Sequence, residues 1–317
     1  VPEVTEGEDK AITLGLVLQN FTNPAIKDIA DAAQAEVEAN FPNVTVLAQD
    51  STTLEEQIAK AETMIAQGVD ALGLEPWEGA AIFPTIEKAN EAGIPVFLVQ
   101  DNAPGAVDDG LAITYIASDE VEGGRLVGKW VISQLGGSGE VAILEGGPGD
   151  SPAINRSAGF LEAIEGSGLE LVAQTTANWA RDQGLTVATD ILTANPDVKA
   201  IFAHNDEMGF GALEAVRAAG KEGEIIVIGY NGTCTGIEAT ANGDFQAEGI
   251  LFLDTVGREF VRSAVAHLNG EAVNPRIQPP IAVLSTEDMQ AVLDGSMSVD
   301  EMEGLKSRIE KAAAGGC

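Results

Sequence analysis

Ile201-Phe202-Ala203-His204-Asn205-Asp206-Glu207-Met208-Gly209-Phe210-Gly211-Ala212-Leu213 is a short apolar run that breaks at a polar turn and restarts at once as a helix pattern. Met208, Leu213 and Val216 fall on the apolar stripe of that helix. Asn205 therefore stands at the carboxyl end of a strand, beside a helix N-terminus. Open α/β sheets bind ligands at that edge. Asp206 directly precedes the helix pattern and is the expected cap, which leaves Asn205 to face a ligand.

The same strand–helix step repeats outward from this stretch. The apolar run 12–18 suits a strand buried on both faces. Helix patterns follow over 24–40, 54–66 and 80–92, alternating with strands over 44–47, 70–74 and 95–99. A second series runs strand 113–116, helix 120–134, strand 140–144, helix 153–164, strand 169–174, helix 184–193, strand 200–203 and helix 207–218. Strand 225–228, a short helix after Gly232, strand 245–250, helix 255–268 and strand 281–284 complete it. Such alternation predicts parallel sheets with right-handed crossovers in two similarly built α/β halves. The 317 residues suffice for two domains of roughly 150 each. After Ser285 a polar, partly helical tail over 287–314 reads as an appendage, packed on the surface or frayed.

Charge narrows the function classes. Asp and Glu outnumber Lys and Arg 50 to 17, a formal net charge of -33. That field repels phosphate backbones and anionic headgroups, which argues against nucleic-acid binding. A solvated acidic surface explains the excess more simply than a specific cation site. No apolar run reaches the ~18 residues of a membrane span. Residues 1–10 are acidic and unpatterned, without a charged and then apolar leader. They read as a flexible leader left after removal of a signal or lipid-anchor segment, or as a cloning boundary. Cys234 and Cys317 make no disulfide framework, and Cys317, behind a run of small residues, is expected to be mobile and unpaired. His204 and His267 have no metal-ligand spacing around them, so no metal or cofactor is expected. His204 reads as a partly buried turn residue.

Gly146-Gly147-Pro148-Gly149-Asp150 lies between a strand and a helix. It lacks the Gly-Lys-Ser/Thr of a triphosphate loop and the spacing of a dinucleotide fingerprint, so it reads as a plain turn. Nucleophile elbows and zinc helices are absent. The polar and aromatic groups gathered at strand ends say more: Gln19 with Asn23; Glu75-Pro76-Trp77; Gln100-Asp101-Asn102; Arg156; Asn178-Trp179; Asn205; Tyr230-Asn231-Gly232. Each alone is an ordinary turn residue. Together they supply amides, carboxylates, one arginine fork and flat aromatic faces, the chemistry that grips a small polyhydroxylated ligand.

These residues carry a family pattern. Asn23-Pro24, Ile116-Ala117-Ser118-Asp119 with Gly123-Gly124, Asn205-Asp206-Glu207-Met208 with Gly211-Ala212-Leu213, and Gly229-Tyr230-Asn231-Gly232-Thr233 resemble the periplasmic sugar-binding proteins of the ribose-binding type. Ala194-Asn195-Pro196-Asp197-Val198 also fits, and the likeness runs over about 12–284. It implies two doubly wound parallel-sheet lobes joined by a three-segment hinge, with the ligand cleft between them. By matching, the crossovers fall near 117–119, 251–254 and 282–285. The first lobe is then 11–117 plus 252–283 and the second 118–251 plus 284–290, with 291–317 as a helical tail.

The resemblance further implies a non-enzymatic carrier that closes on a sugar or polyol and delivers it to an ABC permease. Such a carrier is a monomer, periplasmic or extracellular, with a lipid anchor before processing as one form. A sensing module that presents ligand to a membrane receptor uses the same lobes, and an enzyme on this fold is the remaining alternative. Carried over by position, the ligand contacts are Gln19, Asn23, Glu75, Gln100, Asp101, Arg156, Trp179, Asn205, Tyr230 and Asn231. Arg156 and Asn205 are expected to hold hydroxyls and Trp179 to stack on the ligand. The chain departs from a ribose binder at four places. Ala25 and Ile26 replace an aromatic pair, Gln100-Asp101 an Asp-Arg, Asn231 an aspartate and Leu251 a glutamine. A more acidic pocket with fewer aromatics points to a polyol, a branched or hexose sugar, or an amine-bearing one.

Overall fold

A computed structural model describes residues 11–299, 302 and 304–317; the leader read over 1–10 lies outside the described residues. The chain divides into two compact units, passing from one to the other at Ala117/Ser118, Phe252/Leu253 and Ile277/Gln278, with the short stretch Asn23–Ala25 grouped with the second.

The first unit holds β1 (Ile12–Val17), α1 (Pro24–Asn40), β2 (Val44–Gln49), α2 (Leu54–Gln67), β3 (Ala71–Leu74), α3 (Phe83–Glu91), β4 (Val96–Val99) and β5 (Thr114–Ile116). After the excursion through the second unit come α9 (Leu253–Leu268) and β11 (Arg276–Ile277). Its sheet is parallel throughout, in the order β11-β5-β4-β3-β1-β2. Strands buried on both faces need apolar side chains without alternation, and β3 and β4 are buried at every position. Gly73 in β3 gives room to Phe260 of α9, since a Cβ there would stand 2.7 Å from the ring. Phe260 in turn meets Phe97 edge to face at 6.0 Å.

The second unit holds α4 (Glu120–Leu135), β6 (Ser138–Glu145), α5 (Ser151–Ile164), β7 (Gly168–Thr176), α6 (Arg181–Ala194), β8 (Val198–Ala203) and α7 (Asp206–Ala218). It continues with β9 (Ile226–Asn231), α8 (Cys234–Ala241), β10 (Ala247–Leu251), β12 (Ile281–Ser285), α10 (Thr286–Asp294) and α11 (Leu305–Ala313). The order β12-β10-β9-β8-β6-β7 repeats that of the first sheet. Here the edge strand β12 runs antiparallel to β10, so the sheet is mixed and not wholly parallel as expected.

Several expectations are corrected. All five residues of β12 pair with β10, so the third passage does not fall within 282–285; it comes before β12. The helix expected over 184–193 starts at Arg181, because Gly184 opens no element. It sits inside α6 at a close approach, where a Cβ would meet the Met208 carbonyl at 2.8 Å. The polar tail is no loose appendage. Met289, Val292, Leu305, Ile309 and Ala312 are buried in one cluster with Ile237, Ile250, Phe252 and Leu284. Cys234 and Cys317 form a disulfide, with Cα atoms 5.5 Å apart, that ties the end of the tail to the start of α8. The two polar helices hide their apolar stripes against α8, which brings the distant cysteines within bonding range.

Candidate functional site

In each sheet the strand order reverses at one place, between β1 and β3 in the first and between β6 and β8 in the second. Chain connections leave in opposite directions there and open a crevice at the strands' carboxyl ends.

At the first reversal Gln19 follows β1 and Glu75 follows β3. The Gln19 backbone N–H donates to Glu75 Oε2 at 2.8 Å, and its side-chain amide donates to the Pro76 carbonyl and to Asp101 Oδ2, both at 3.2 Å. Gln19, Glu75, Gln100 and Asp101 are all buried. Gln57 of α2, fully buried, fixes the next turn. Its amide donates to the Glu75 carbonyl at 2.6 Å, and its oxygen accepts from the Trp77 N–H at 3.1 Å. Gln100 adopts φ 56°, and its carbonyl accepts from Tyr115 Oη at 2.9 Å. Asn23, half-buried, uses its oxygen locally, accepting from the Ala25 N–H at 3.1 Å at the start of α1.

At the second reversal an arginine dominates. Close packing of α4 on α5 depends on Gly124 and Gly159, where a Cβ would collide with the opposite backbone. That approach sets Arg156 of α5 against Glu120 of α4. Arg156 Nε and Nη2 donate to Glu120 Oε2 and Oε1 at 2.9 and 2.8 Å, and Nη1 donates to the His204 carbonyl. Both side chains are 2% exposed. Tyr230 donates its hydroxyl to Glu120 Oε2 at 3.0 Å and lays its ring 4.2 Å from the guanidinium; the Trp179 ring stands at 5.5 Å. Burial, with the Glu120 charge, holds the Tyr230 phenol well above its ordinary pKa. Burial, with Arg156 beside it, holds His204 well below, so the imidazole stays neutral.

Trp179 is placed by three contacts. Its indole N–H donates to Asp150 Oδ2 at 2.6 Å, and its carbonyl accepts from Asn205 Nδ2 at 3.0 Å. Gly146 leaves the space its ring fills, since a Cβ there would stand inside the ring. The glycine-rich turn after β6 is thus a seat for Trp179. Burial pushes the Asp150 carboxyl up to about 6, against the pull of the Trp179 and Gly147 N–H donors.

Two expected roles change. Asn205, not Asp206, is the N-cap of α7, its Oδ1 accepting from the Met208 N–H at 2.9 Å. Asp206 instead receives the Thr233 N–H and hydroxyl at 2.9 and 2.5 Å. Arg156, expected to hold hydroxyls, makes its fork to Glu120, a carboxylate that offsets its buried charge. Tyr230 is fully buried, with its ring against Arg156, and His204 is fully rather than partly buried. The structure thus gathers Gln19, Glu75 and Asp101 by side chain, with Gln100 beside them. It separately gathers Arg156, Tyr230, Trp179 and Asn205. Asn231 is buried with φ 112°. Sequence reading missed Glu120, Asp150 and Gln57. For Glu120 the signal was an acid in the first turn of a helix facing the glycine pair at 123–124. Asp150 and Gln57 gave none beyond position.

Among the described residues four non-glycines have positive φ: Gln100, Asn178, Trp179 and Asn231. All four stand at strand ends, and three are candidate ligand contacts. Strained backbone collects where function requires a fixed geometry.

The periplasmic binding protein domain family matches residues 14–272. The ribose import binding protein of Bacillus subtilis is 33% identical over 276 residues, 87% of this chain and 88% of that protein. Among solved structures, a Mycobacterium smegmatis protein in complex with β-D-fucofuranose has a TM-score of 0.85 at 29% identity, covering 95% of this chain and 98% of its own. An ABC transporter solute binding protein from Bacillus halodurans with bound myo-inositol has a TM-score of 0.82 at 28% identity, covering 89% and 96%. By that match, which takes in most of its length, the chain belongs to the periplasmic binding protein domain family, a family of substrate-binding proteins rather than enzymes.

Proposed function

We propose that this chain is the extracytoplasmic solute-binding protein of an ABC importer. It takes a sugar or a polyol, by the closure of two lobes that the resemblance implies. Gln19, Asn23, Glu75, Gln100, Asp101, Arg156, Trp179, Asn205, Tyr230 and Asn231 are the proposed ligand-binding groups. The observation that carries the reading is the left-handed backbone at Gln100, Trp179 and Asn231. Three non-glycines held off their preferred conformation at strand ends are what a preorganised polar site requires. The Gln19–Glu75–Asp101 web supplies acceptors matched to hydroxyl donors.

Its place is the periplasmic side of the membrane. The Cys234–Cys317 disulfide suits an oxidising compartment. A monomer with no affinity for nucleic acid, with a lipid anchor before processing as one form, completes the proposal. The acidic site and the loss of the aromatic pair at Ala25-Ile26 favour a polyol or hexose over D-ribose.

Thermal unfolding in the presence of pentoses, hexoses and polyols tests this, with D-ribose, D-fucose and myo-inositol among the probes. A bound ligand at 100 times its Kd stabilises by about 2.7 kcal/mol. Some hexose or polyol should raise Tm by several degrees, more than D-ribose does. A response to D-ribose alone would remove the polyol or hexose assignment, and silence across the set would remove the sugar reading.

A further inference from the structure

Behind the turn Asn231-Gly232-Thr233 two carboxyl side chains meet without a cation between them. Asp206, the first residue of α7, is 2% exposed, and Glu248 of β10 is 0% exposed. Each holds one part of the turn. Asp206 Oδ2 accepts the Thr233 N–H and hydroxyl, and Glu248 Oε1 accepts the Gly232 N–H at 2.8 Å. Asp206 Oδ1 and Glu248 Oε2 are buried and find no N–H or hydroxyl donor. The two carboxyl groups brace successive amides of one turn, those of Gly232 and Thr233, and so are held side by side. Arg308 of α11 is the charged group that faces them from the tail, but its N–H groups go to the Gly232 and Leu251 carbonyls.

Two adjacent anions so placed would each carry an uncompensated desolvation cost and repel one another. One proton between them removes both problems. Hydrogen-bond counting assigns it. Asp206 receives the Thr233 hydroxyl and the Thr233 N–H, both of which favour its anion. Glu248 receives one N–H. We propose that Glu248 is a positioning residue, protonated in the native protein, which donates to Asp206 and so fixes the turn that presents Asn231. Burial, followed by the Asp206 charge, raises Glu248 well above the ordinary carboxylate range, in keeping with this assignment. The pair also explains how Asn231 and Gly232 hold successive left-handed conformations, φ 112° and 69°. Both turn amides that follow Asn231 are anchored in a carboxyl. The effect on ligand rests on the reading of Asn231 as a ligand group; the shared proton does not.

Glu248→Gln tests both parts. Its amide N–H donates to Asp206 and its oxygen accepts from Gly232, with no proton to lose. Wild-type folding holds a proton that the unfolded glutamate releases near pH 4.5, so wild-type stability falls as pH rises above that value. The Tm difference, variant minus wild type, should move in the variant's favour by ~5 °C or more between pH 5 and pH 8. A difference independent of pH overturns the shared proton. Should the variant fail to fold, carboxyl carbon resonances of glutamate-labelled wild type decide. One glutamate must keep its protonated shift at pH 7, and none doing so overturns the proposal.

The ligand arm uses myo-inositol, D-fucose and D-ribose in calorimetry at pH 7. Affinity for a probe that binds should stay within about two-fold in Glu248→Gln, which keeps both hydrogen bonds, and fall several-fold in Glu248→Ala, which keeps neither. Wild-type affinity in Glu248→Ala overturns the positioning role while leaving the shared proton. Absence of binding by every probe counts against the ligand reading alone.

Discussion

The two strand reversals solve one problem in different ways. At β1/β3 the polar groups are tied by neutral amides. Gln19 links Glu75 to Asp101, and Gln57 links the Glu75 carbonyl to the Trp77 N–H. At β6/β8 they are tied by a charge: Glu120 grips Arg156 along one edge, and Tyr230 and Trp179 cover its flanks. The first set keeps its carboxyls as acceptors. In the second the acid and base hold each other and fix an aromatic and amide frame around them. An amide web loses hydrogen bonds when one member is cut, whereas an ion-pair cage strands a charge.

The sharpest way to break that contrast is Glu120→Ala. It leaves the Arg156 guanidinium buried without its carboxylate, and the loss of one partner of a buried pair costs about 3–5 kcal/mol. Urea unfolding should show it. Removing Arg156 as well, in Glu120→Ala/Arg156→Met, should recover part of the loss, because no charge is then stranded. A single-variant cost below ~1 kcal/mol would mean that the pair does not hold this edge.

Gln57→Ala is the matching cut at the other edge. It leaves the Glu75 carbonyl and the Trp77 N–H without their bridge in a buried place. Two unsatisfied neutral groups with some relaxation cost about 2–3 kcal/mol, less than the stranded arginine. The same urea measurement places the two variants in order. A Gln57→Ala loss exceeding that of Glu120→Ala would reverse the ranking of amide web and charge cage.

The strand–helix alternation was legible because helices and doubly buried strands leave different periods in the chain, and both sheets follow it. Gln19, Glu75 and Asp101 were legible as strand-end polar groups for the same reason. What escaped depended on distance in space. Glu120 is one of many acids in a chain with 50, and only the approach of α4 to α5 makes it the partner of Arg156. Asn205 holds the cap expected of Asp206 because the first turn of α7 starts one residue earlier than its apolar stripe. The tail misled through composition: α11 is polar overall yet hides Leu305, Ile309 and Ala312, and the Cys317 link follows from that burial. A two-residue strand such as β11 carries no period at all.

The effect confined to the narrowest range of conditions concerns Asp150, which seats Trp179 at the cage edge. Its carboxyl is pushed up to about 6 from an ordinary 3.8, with burial as the first cause. The folded protein therefore holds this proton more tightly than the unfolded chain. The stabilisation is complete below about pH 4 and is lost as pH rises through about 6. Asp150→Asn removes the titration. The stability difference between variant and wild type should change by about 3 kcal/mol across that window and be flat above it. Trp179 reports the event directly, because its indole N–H donates to the group that titrates. Wild-type tryptophan emission should follow a step with a midpoint near 6 that the variant lacks. A step near the ordinary aspartate value would show that Asp150 is well solvated and that the Gly146 turn does not seal the seat. A step near 6 that persists in Asp150→Asn would move the titration to another group of the same edge.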